Sequence, residues 1–254
     1  MNRVMIKSLA VLMGLCSCAL IAPALAEAKG KFHVLEPELK TEDYQEWSDQ
    51  LKESELLETL AESLNELFVI PQSISIVATE CGESNAYFSS EDRQISICLE
   101  LLEDIDQSLQ ESYPDEEDRV EAVYGALTAV FLHEVGHALV SVLELPITGR
   151  EEDAVDQLST WILIEGEMQD SVLAAAETYY TAEDGADDET FADEHSLNRQ
   201  RYFNMVCWVY GSDPENKDEL IEDWQLPKAR AEQCPAEYEQ ISRSWVTLLA
   251  DHIR

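Results

Sequence analysis

The most constraining feature of the chain is the segment His133-Glu134-Val135-Gly136-His137, in which two histidines lie four residues apart with a glutamate after the first. On an α-helix, residues four apart differ by about 40° in direction, so both imidazoles project from one face and can bind one metal ion. Catalytic zinc sites have this spacing, and the glutamate then acts as general base towards a zinc-bound water. The pattern predicts a helix on which His133 and His137 bind zinc and Glu134 is the base.

The stretch around this segment, Ala122 to Leu143, is strongly apolar. Its length suits a membrane span, but two histidines and a glutamate in the middle of a span would be costly in lipid. A buried helix of a soluble domain is favoured instead. Gly136 costs a helix about 1 kcal/mol relative to alanine, which is reasonable where a side chain would collide with a neighbouring element or a bound ligand.

The third zinc ligand must come from outside this helix. Val140 and Leu143 occupy the positions at which a longer motif would carry glycine and a third histidine. The nearest candidates follow Gly149, where a second helix is predicted from Arg150 to about Tyr180.

Four acidic residues crowd the first turns of that second helix. Glu152 and Asp156 lie four apart on one face, so one can bind the metal while the other orients a ligand histidine. Glu151 and Asp153 are interpreted as acids that stabilise the helix N-terminus. If Glu152 is not the ligand, Asp153 and Asp156 are the next candidates.

The HExxH segment followed by ExxxD resembles the thermolysin-like gluzincins. This resemblance implies that Glu152 is the third zinc ligand and that Asp156 holds a ligand histidine. Upstream, the segment Asn85-Ala86-Tyr87-Phe88 is similar to the edge-strand motif with which such peptidases hydrogen-bond an extended substrate. Asn85 and Ala86 would then contact the substrate backbone.

The chain also resembles a bacterial domain-of-unknown-function family assigned to the zinc metallopeptidases, over roughly Leu56 to Trp245. The matching segments are Cys-Gly before Asn-Ala-Tyr-Phe, HEVGHAL, GREEDAVDQ, Asp193-Glu194-His195-Ser196 and Gln200-Arg201-Tyr202. The gap between His137 and Glu152 is shorter than in thermolysin, and its other landmarks are missing. The resemblance therefore implies a metallopeptidase without indicating its substrate.

Residues 1–26 are predicted to be a secretory signal peptide. Arg3 and Lys7 precede an apolar run from Leu9 to Ile21, and Ala24-Leu25-Ala26 provides small residues for cleavage. An alternative is a lipoprotein signal that would leave Cys18 lipidated. We expect an exported protein, periplasmic or secreted.

Removal of Arg3 and Lys7 with the signal peptide lowers the 16 basic residues to 14 against 53 acidic ones, a formal charge of −39. This charge makes nucleic acid an unsuitable partner. It suits solubility, the attraction of cations or basic segments, or adaptation to saline surroundings, and the sequence does not separate these. The expected partner is a peptide or protein substrate, and no transmembrane span is expected in the mature chain.

Four cysteines remain after residue 26, and no two of them have the CxxC spacing of a zinc or thiol-redox site. In an exported protein they should form disulfides. Three pairings are possible, and we favour Cys81 with Cys98 and Cys207 with Cys234, because each pair brackets one local unit. Free buried cysteines are the alternative.

The fold class predicted for residues 27–254 is α+β and mostly α, a single zincin-like metallopeptidase domain with a small sheet beside the HExxH helix. The predicted elements are helical sequence from Thr41 to Phe68, strands at Ser73–Thr79, Asn85–Phe88 and Arg93–Cys98, helices at Leu99–Gln110, Glu116–Leu143 and 150–180, an acidic linker at Glu183–Glu194, and helices at His195–Tyr210 and Ala236–His252. A calcium site in the linker is a minor alternative, because its spacing fits no EF-hand loop.

His195 is the remaining histidine with a candidate role, because His33 and His252 lie near the termini. At the start of the predicted helix that carries Arg201 and Tyr202, it could reach the site and donate a hydrogen bond to the oxyanion of the reaction. An ordinary packing or capping role is equally open.

The sequence predicts an exported zinc-dependent metallopeptidase that hydrolyses peptide bonds. One alternative is a non-catalytic zinc-containing binding or scaffold protein of the cell envelope. Glu134 argues against it, because a structural site needs no base and usually closes its fourth position with a side chain. A second alternative, an acidic cation-buffering protein without zinc, leaves the HExxH segment unexplained.

Overall fold

The computed structural model describes residues 30–182, 185 and 187–254, so the predicted signal peptide and Cys18 lie outside the described residues. The N-terminal half contains, in chain order, β1 (Phe32–Val34), α1 (Gln45–Ser54), α2 (Leu56–Leu67), β2 (Ile74–Thr79), β3 (Ala86–Ser89), β4 (Gln94–Cys98), α3 (Leu99–Leu109) and α4 (Glu116–Val142). The C-terminal half contains α5 (Glu151–Glu165), α6 (Gln169–Thr181), α7 (Asp188–Ala192), α8 (Asn198–Ser212), α9 (Glu219–Glu222), α10 (Lys228–Ala231) and α11 (Cys234–Leu249).

The described strands form a small mixed sheet in the order β1-β2-β4-β3. β1, β2 and β4 are parallel, whereas β3 pairs antiparallel with β4 and forms one edge of the sheet. The alternating isoleucines of β2 and β4 are completely buried, namely Ile74, Ile76, Ile95 and Ile97. The three strands predicted from the sequence match β2, β3 and β4, while β1, which is three residues long, was not predicted.

α4 passes through the centre of the protein. Its N-terminus is fixed by Asp115, whose carboxylate accepts hydrogen bonds from the amides of Glu117 and Asp118 at 3.0 and 3.3 Å. The helix contacts α3, α5, α6, β3 and β4, and Leu127 and Phe131 on it are completely buried. Within the described residues α4 is the one helix long and apolar enough to cross a membrane by length and composition, and 72% of its apolar window is buried inside the protein.

Two stretches predicted as continuous helix are interrupted. α1 and α2 are separated at Glu55, and α5 and α6 are separated after Gly166 at Glu167. Glu55 and Glu167 have φ angles of 53° and 58°, a left-handed conformation that a helix cannot contain. The prediction of one helix from Arg150 to Tyr180 was therefore wrong, and its second half returns as α6 alongside α4.

The described residues contain the disulfides Cys81–Cys98 and Cys207–Cys234, the pairing favoured from the sequence. The first ties the connection between β2 and β3 to the end of β4, and the second ties α8 to the start of α11. Part of the predicted acidic linker lies outside the described residues, and the rest contains the short helix α7.

Candidate active site

The site begins with the close approach of α4 and α5. A Cβ atom added at Gly136 would lie 2.7 Å from the Cβ of Val155 on α5, so a larger residue would push the two helices apart. The hydroxyl of Ser159 donates to the carbonyl oxygen of Ala129 at 2.7 Å and joins the same two helices. Gly136 is thus required by a neighbouring element, as its cost to the helix suggested.

This approach brings three metal-binding side chains together. Nε2 of His133 lies 3.3 Å from Nε2 of His137. Glu152 Oε2 lies 3.1 Å from the His133 nitrogen, and Glu152 Oε1 lies 3.3 Å from the His137 nitrogen. Imidazole nitrogens and carboxylate oxygens are donors that divalent metal ions accept in proteins. Their close spacing lets these three residues hold one metal ion.

Each imidazole is also bound through its other nitrogen. Asp156 Oδ1 lies 2.7 Å from Nδ1 of His133, and Glu151 Oε1 lies 2.8 Å from Nδ1 of His137. Such contacts make Nδ1 the protonated nitrogen and leave Nε2 to face the metal position. Asp156 lies where the sequence placed it, while Glu151 does more than stabilise the helix N-terminus.

The negative charge of Asp156 is also neutralised by Arg201. Nε and a terminal nitrogen of Arg201, from α8, donate to its two carboxylate oxygens at 2.8 and 2.7 Å. The guanidinium also lies 4.1 Å from the centroid of the Tyr179 ring. Since Asp156 and Arg201 are 4% and 9% exposed, this buried ion pair links α8 to α5 directly behind His133.

The electrostatics of the site favour the ionised forms of Asp156 and Glu152 and the protonated form of His133. Burial raises the pKa of Asp156, but the Arg201 charge and the hydrogen bond to His133 outweigh it and leave the pKa well below its usual range. Burial likewise raises the pKa of Glu152, and contacts with three histidines lower it far more. Burial lowers the pKa of His133, but the hydrogen bonds to Asp156 and Glu152 outweigh it and raise the pKa to about 9. A bound metal would therefore replace a proton.

Glu134 is buried beside the metal-binding group. Burial raises the pKa of its carboxyl above the usual value, while the charges of His133 and His137 and a hydrogen bond with the backbone of Phe88 act in the opposite direction. Phe88 belongs to β3, so the base candidate lies between the metal-binding residues and the sheet edge. A carboxyl in this position is suited to accept a proton.

His195 reaches the site, but not from a helix. It lies before α8, which begins at Asn198, so the prediction that it starts a helix was wrong. Its Nε2 lies 3.0 Å from Glu152 Oε2, and its Nδ1 lies 3.1 Å from Asp193 Oδ1. The hydrogen bond to Glu152 raises its pKa against the opposing effect of burial.

Two anchors on the start of α5 hold the segment 193–197, which we call the His195 loop. Arg150 donates to the backbone carbonyl of His195 at 3.1 Å, and the hydroxyl of Ser196 donates to Asp153 Oδ1 at 2.6 Å. Asp153 therefore binds a loop in addition to any effect on the helix terminus. Sequence reasoning missed these roles of Arg150 and Asp153, and only their occurrence in GREEDAVDQ pointed to them.

The segment Asn85-Ala86-Tyr87-Phe88 lies at the sheet edge, as predicted, with Ala86 to Phe88 in β3. A cleft of about 770 Å³ runs between β3 and the metal-binding group, lined by Asn85 and Ala86 on one side and by His133, Glu134 and His195 on the other. The carbonyl of Asn85 accepts from the Cys98 amide at 3.1 Å, so residues 85, 87 and 89 face β4 and the backbone groups of Ala86 and Phe88 face away from the sheet. The Asn85 side chain accepts from the Ala86 amide at 2.9 Å.

Tyr202 does not join the cleft. Its hydroxyl donates to the carbonyl of Trp224 at 2.8 Å, on another side of α8. Arg201 and Tyr179 are the residues of α8 and α6 that line the cleft.

Comparison with known proteins gives one match, to a protein family. No curated protein and no solved structure matches the chain. A family model with the description "Putative metallopeptidase" matches residues 37–249, which include every residue of the cleft described above. The chain belongs to this metallopeptidase family.

Proposed function

We propose that the protein is an exported zinc-dependent metallopeptidase that hydrolyses peptide bonds in the cleft between β3 and α4. The observation that carries the proposal is the close approach of the His133, His137 and Glu152 donors beside the buried carboxyl of Glu134. When bound, zinc would lower the pKa of a water molecule and polarise the scissile carbonyl.

The protein's own groups have distinct tasks in this proposal. Glu134 accepts a proton in the cleft and returns it to the leaving amine, for which its raised pKa is suited. Asp156 and Glu151 fix the orientation of the two histidines. His195, oriented by Asp193, donates to the negative oxygen that forms on the substrate.

The substrate lies along β3 as an added strand. The outward carbonyls of Ala86 and Phe88 accept main-chain hydrogen bonds from it, while their amides donate to the Asn85 side chain and to Glu134. This would carry a scissile carbonyl past the metal-binding group. The edge strand and the small sheet beside α4 are the arrangement expected of a zincin-like fold.

The two disulfides support export. Disulfides persist in oxidising compartments and are rare in the cytosol. With the predicted signal peptide at residues 1–26, they favour a periplasmic or secreted protein.

The test is cleavage of a diverse peptide library by the zinc-loaded protein comprising residues 27–254, read by mass spectrometry. Glu134→Gln should retain zinc and lose cleavage, whereas Glu121→Gln, which changes an exposed acid on the same helix, should retain both. Absence of cleavage by the zinc-loaded wild type would contradict the proposal and favour a zinc-containing binding protein. Equal cleavage by Glu134→Gln would show that Glu134 is not the base.

A further inference from the structure

A second cavity, of about 330 Å³, opens between the α3–α4 connection, α6, α8 and the segment after α9. Four aromatic rings and two carboxylates line it, those of Tyr113, Tyr180, Tyr202, Trp224, Glu177 and Asp223. Nothing in the proposed peptidase mechanism uses these residues.

The aromatic part of this cavity is built around Tyr202, which is 2% exposed. Its ring lies 4.9 Å from the ring of Tyr180 and 6.3 Å from that of Trp224, with which it is stacked at an interplanar angle of 23°. The Tyr202 hydroxyl is fixed on the backbone carbonyl of Trp224 at 2.8 Å. The rings are therefore held in place and do not depend on a ligand for their arrangement.

Two carboxylates add negative charge to the lining of the cavity. The Ser112 hydroxyl donates to Glu177 Oε1 at 2.5 Å and fixes this carboxylate on the wall. Burial and then the charge of Glu177 raise the pKa of Tyr113. The same two causes raise the pKa of Tyr202 to about 12. Asp223 adds a second negative group at the rim, in a protein that is strongly acidic as a whole.

The same aromatic cluster already binds a cation of the chain itself. The guanidinium carbon of Arg199 lies 4.0 Å from the centroid of the Tyr180 ring and 5.7 Å from that of Tyr202. Aromatic faces attract cations in this way, most strongly when the cation is weakly hydrated and desolvation costs little.

We propose that this cavity is a binding site for a weakly hydrated organic cation, a guanidinium or alkylammonium group, held between the ring faces and the Glu177 and Asp223 carboxylates. The site goes beyond the proposed peptidase function and does not rest on it. The cation could come from an arginine side chain or from a small quaternary amine, since both present the same delocalised or shielded charge.

The cavity and the active-site cleft share two helices. Tyr179 and Arg201 line the cleft, and the next residues along α6 and α8, Tyr180 and Tyr202, line the cavity. A cation bound in the cavity would thus contact the helices that support Asp156 and His133 from behind.

The test is calorimetric titration of the protein comprising residues 27–254 with Nα-acetylargininamide and with choline. Nα-acetylcitrullinamide and 3,3-dimethylbutan-1-ol are the uncharged isosteres, and both should bind at least about fivefold more weakly than their cationic counterparts. Tighter binding of the arginine derivative than of choline would identify a guanidinium source, and the reverse would identify an alkylammonium source.

Variants locate the site. Glu177→Gln and Trp224→Leu should each weaken binding of the better cation by about fivefold or more, while Glu222→Gln, an equal charge change at an exposed neighbouring position, should not. Glu177→Gln retains the shape of the side chain, so the test stands even if Trp224→Leu fails to fold. Failure of both cations to bind, equal binding of the isosteres, or equal weakening by Glu222→Gln would each overturn the proposal.

Discussion

The α4–α5 pair and the His195 loop both supply side chains to the cleft, but they are held in different ways. The helix pair is fixed by close packing at Gly136 and by buried hydrogen bonds, and its metal-binding atoms lie on regular helical faces. The loop is fixed by a few polar contacts from Arg150, Glu152 and Asp153, and His195 remains 43% exposed. The rigid pair is therefore suited to hold a metal, and the loop to act on the substrate.

The largest effect should come from removing the ligand on the helix pair. Glu152→Ala should lower zinc affinity by more than about 100-fold, beyond the 10–100-fold typical of an outer hydrogen-bond partner. Glu151→Ala, which removes only the contact with His137 Nδ1, should lie within that smaller range. Competition with a chelator measures both, and equal losses would show that Glu152 is not a ligand.

The next prediction distinguishes a role of the His195 loop in the reaction from a role in metal binding. His195→Phe should lower kcat by about 10²–10³-fold, as loss of an oxyanion donor does, and should change zinc affinity by far less than Glu152→Ala. Ser196→Ala removes the anchor to Asp153 and should lower kcat by a smaller factor with zinc affinity unchanged. A parallel loss of zinc and activity in His195→Phe would mean that His195 belongs to the metal-binding group.

A third prediction concerns the packing of the pair. Gly136→Ala should lower the free energy of unfolding by about 1–3 kcal/mol, because the added methyl group would overlap Val155. Gly125→Ala on the same helix is the matched control: its nearest neighbour would be Ser171 at 3.2 Å, and the gain in helix propensity of about 1 kcal/mol offsets this contact. Urea unfolding measures both, and equal destabilisation would remove the special role of the Gly136 approach.

The smallest effect depends on pH and concerns the connection between β2 and β3, whose Cys81 and Gly82 amides donate to Glu100 on α3. Burial raises the pKa of Glu100, but hydrogen bonds from its own amide and from the amides of Gly82 and Cys81 outweigh it and leave the pKa below its ordinary value. Its ionised form therefore stabilises the fold above the ordinary carboxyl range, and this contribution is lost as the pH falls towards the lowered value.

Glu100→Gln should accordingly destabilise the protein at pH 7, and the difference from wild type should shrink as the pH is lowered to about 3. Glu103→Gln, at an exposed position on the same helix, is the control and should leave the pH profile unchanged. Unfolding by urea at a series of pH values measures the difference, and a constant difference would contradict the role of Glu100.

The same contrast explains what could be predicted from the sequence. The positions of His133, His137, Glu152 and Asp156 follow from helical period, because residues four apart share a face wherever the helix lies. The break after α5 escaped prediction although Gly166 stands there, because a single glycine is tolerated within a helical pattern and the left-handed residue that turns the chain is Glu167.

The residues that contact the His195 loop could not be predicted from the helical periodicity of the sequence. Arg150 is separated from His195 by 45 residues, and Arg201 from Asp156 by the same distance along the chain. Such contacts depend on how α8 packs against α5, and no local pattern encodes that packing. The short strand β1 was missed for a similar reason, since three residues are too few to show alternation.

If a substrate adds to β3 as we propose, the open edge of this strand determines which molecules the cleft can accept. β3 is four residues long, and only Ala86 and Phe88 turn their backbone groups outward. A chain segment that pairs with them must already be extended and unpaired, so a compact native protein would be spared while a flexible loop, a frayed terminus or an unfolded chain would be bound. In that case the conformation of a target, before its sequence, decides its lifetime, and a single proline opposite β3 would protect it.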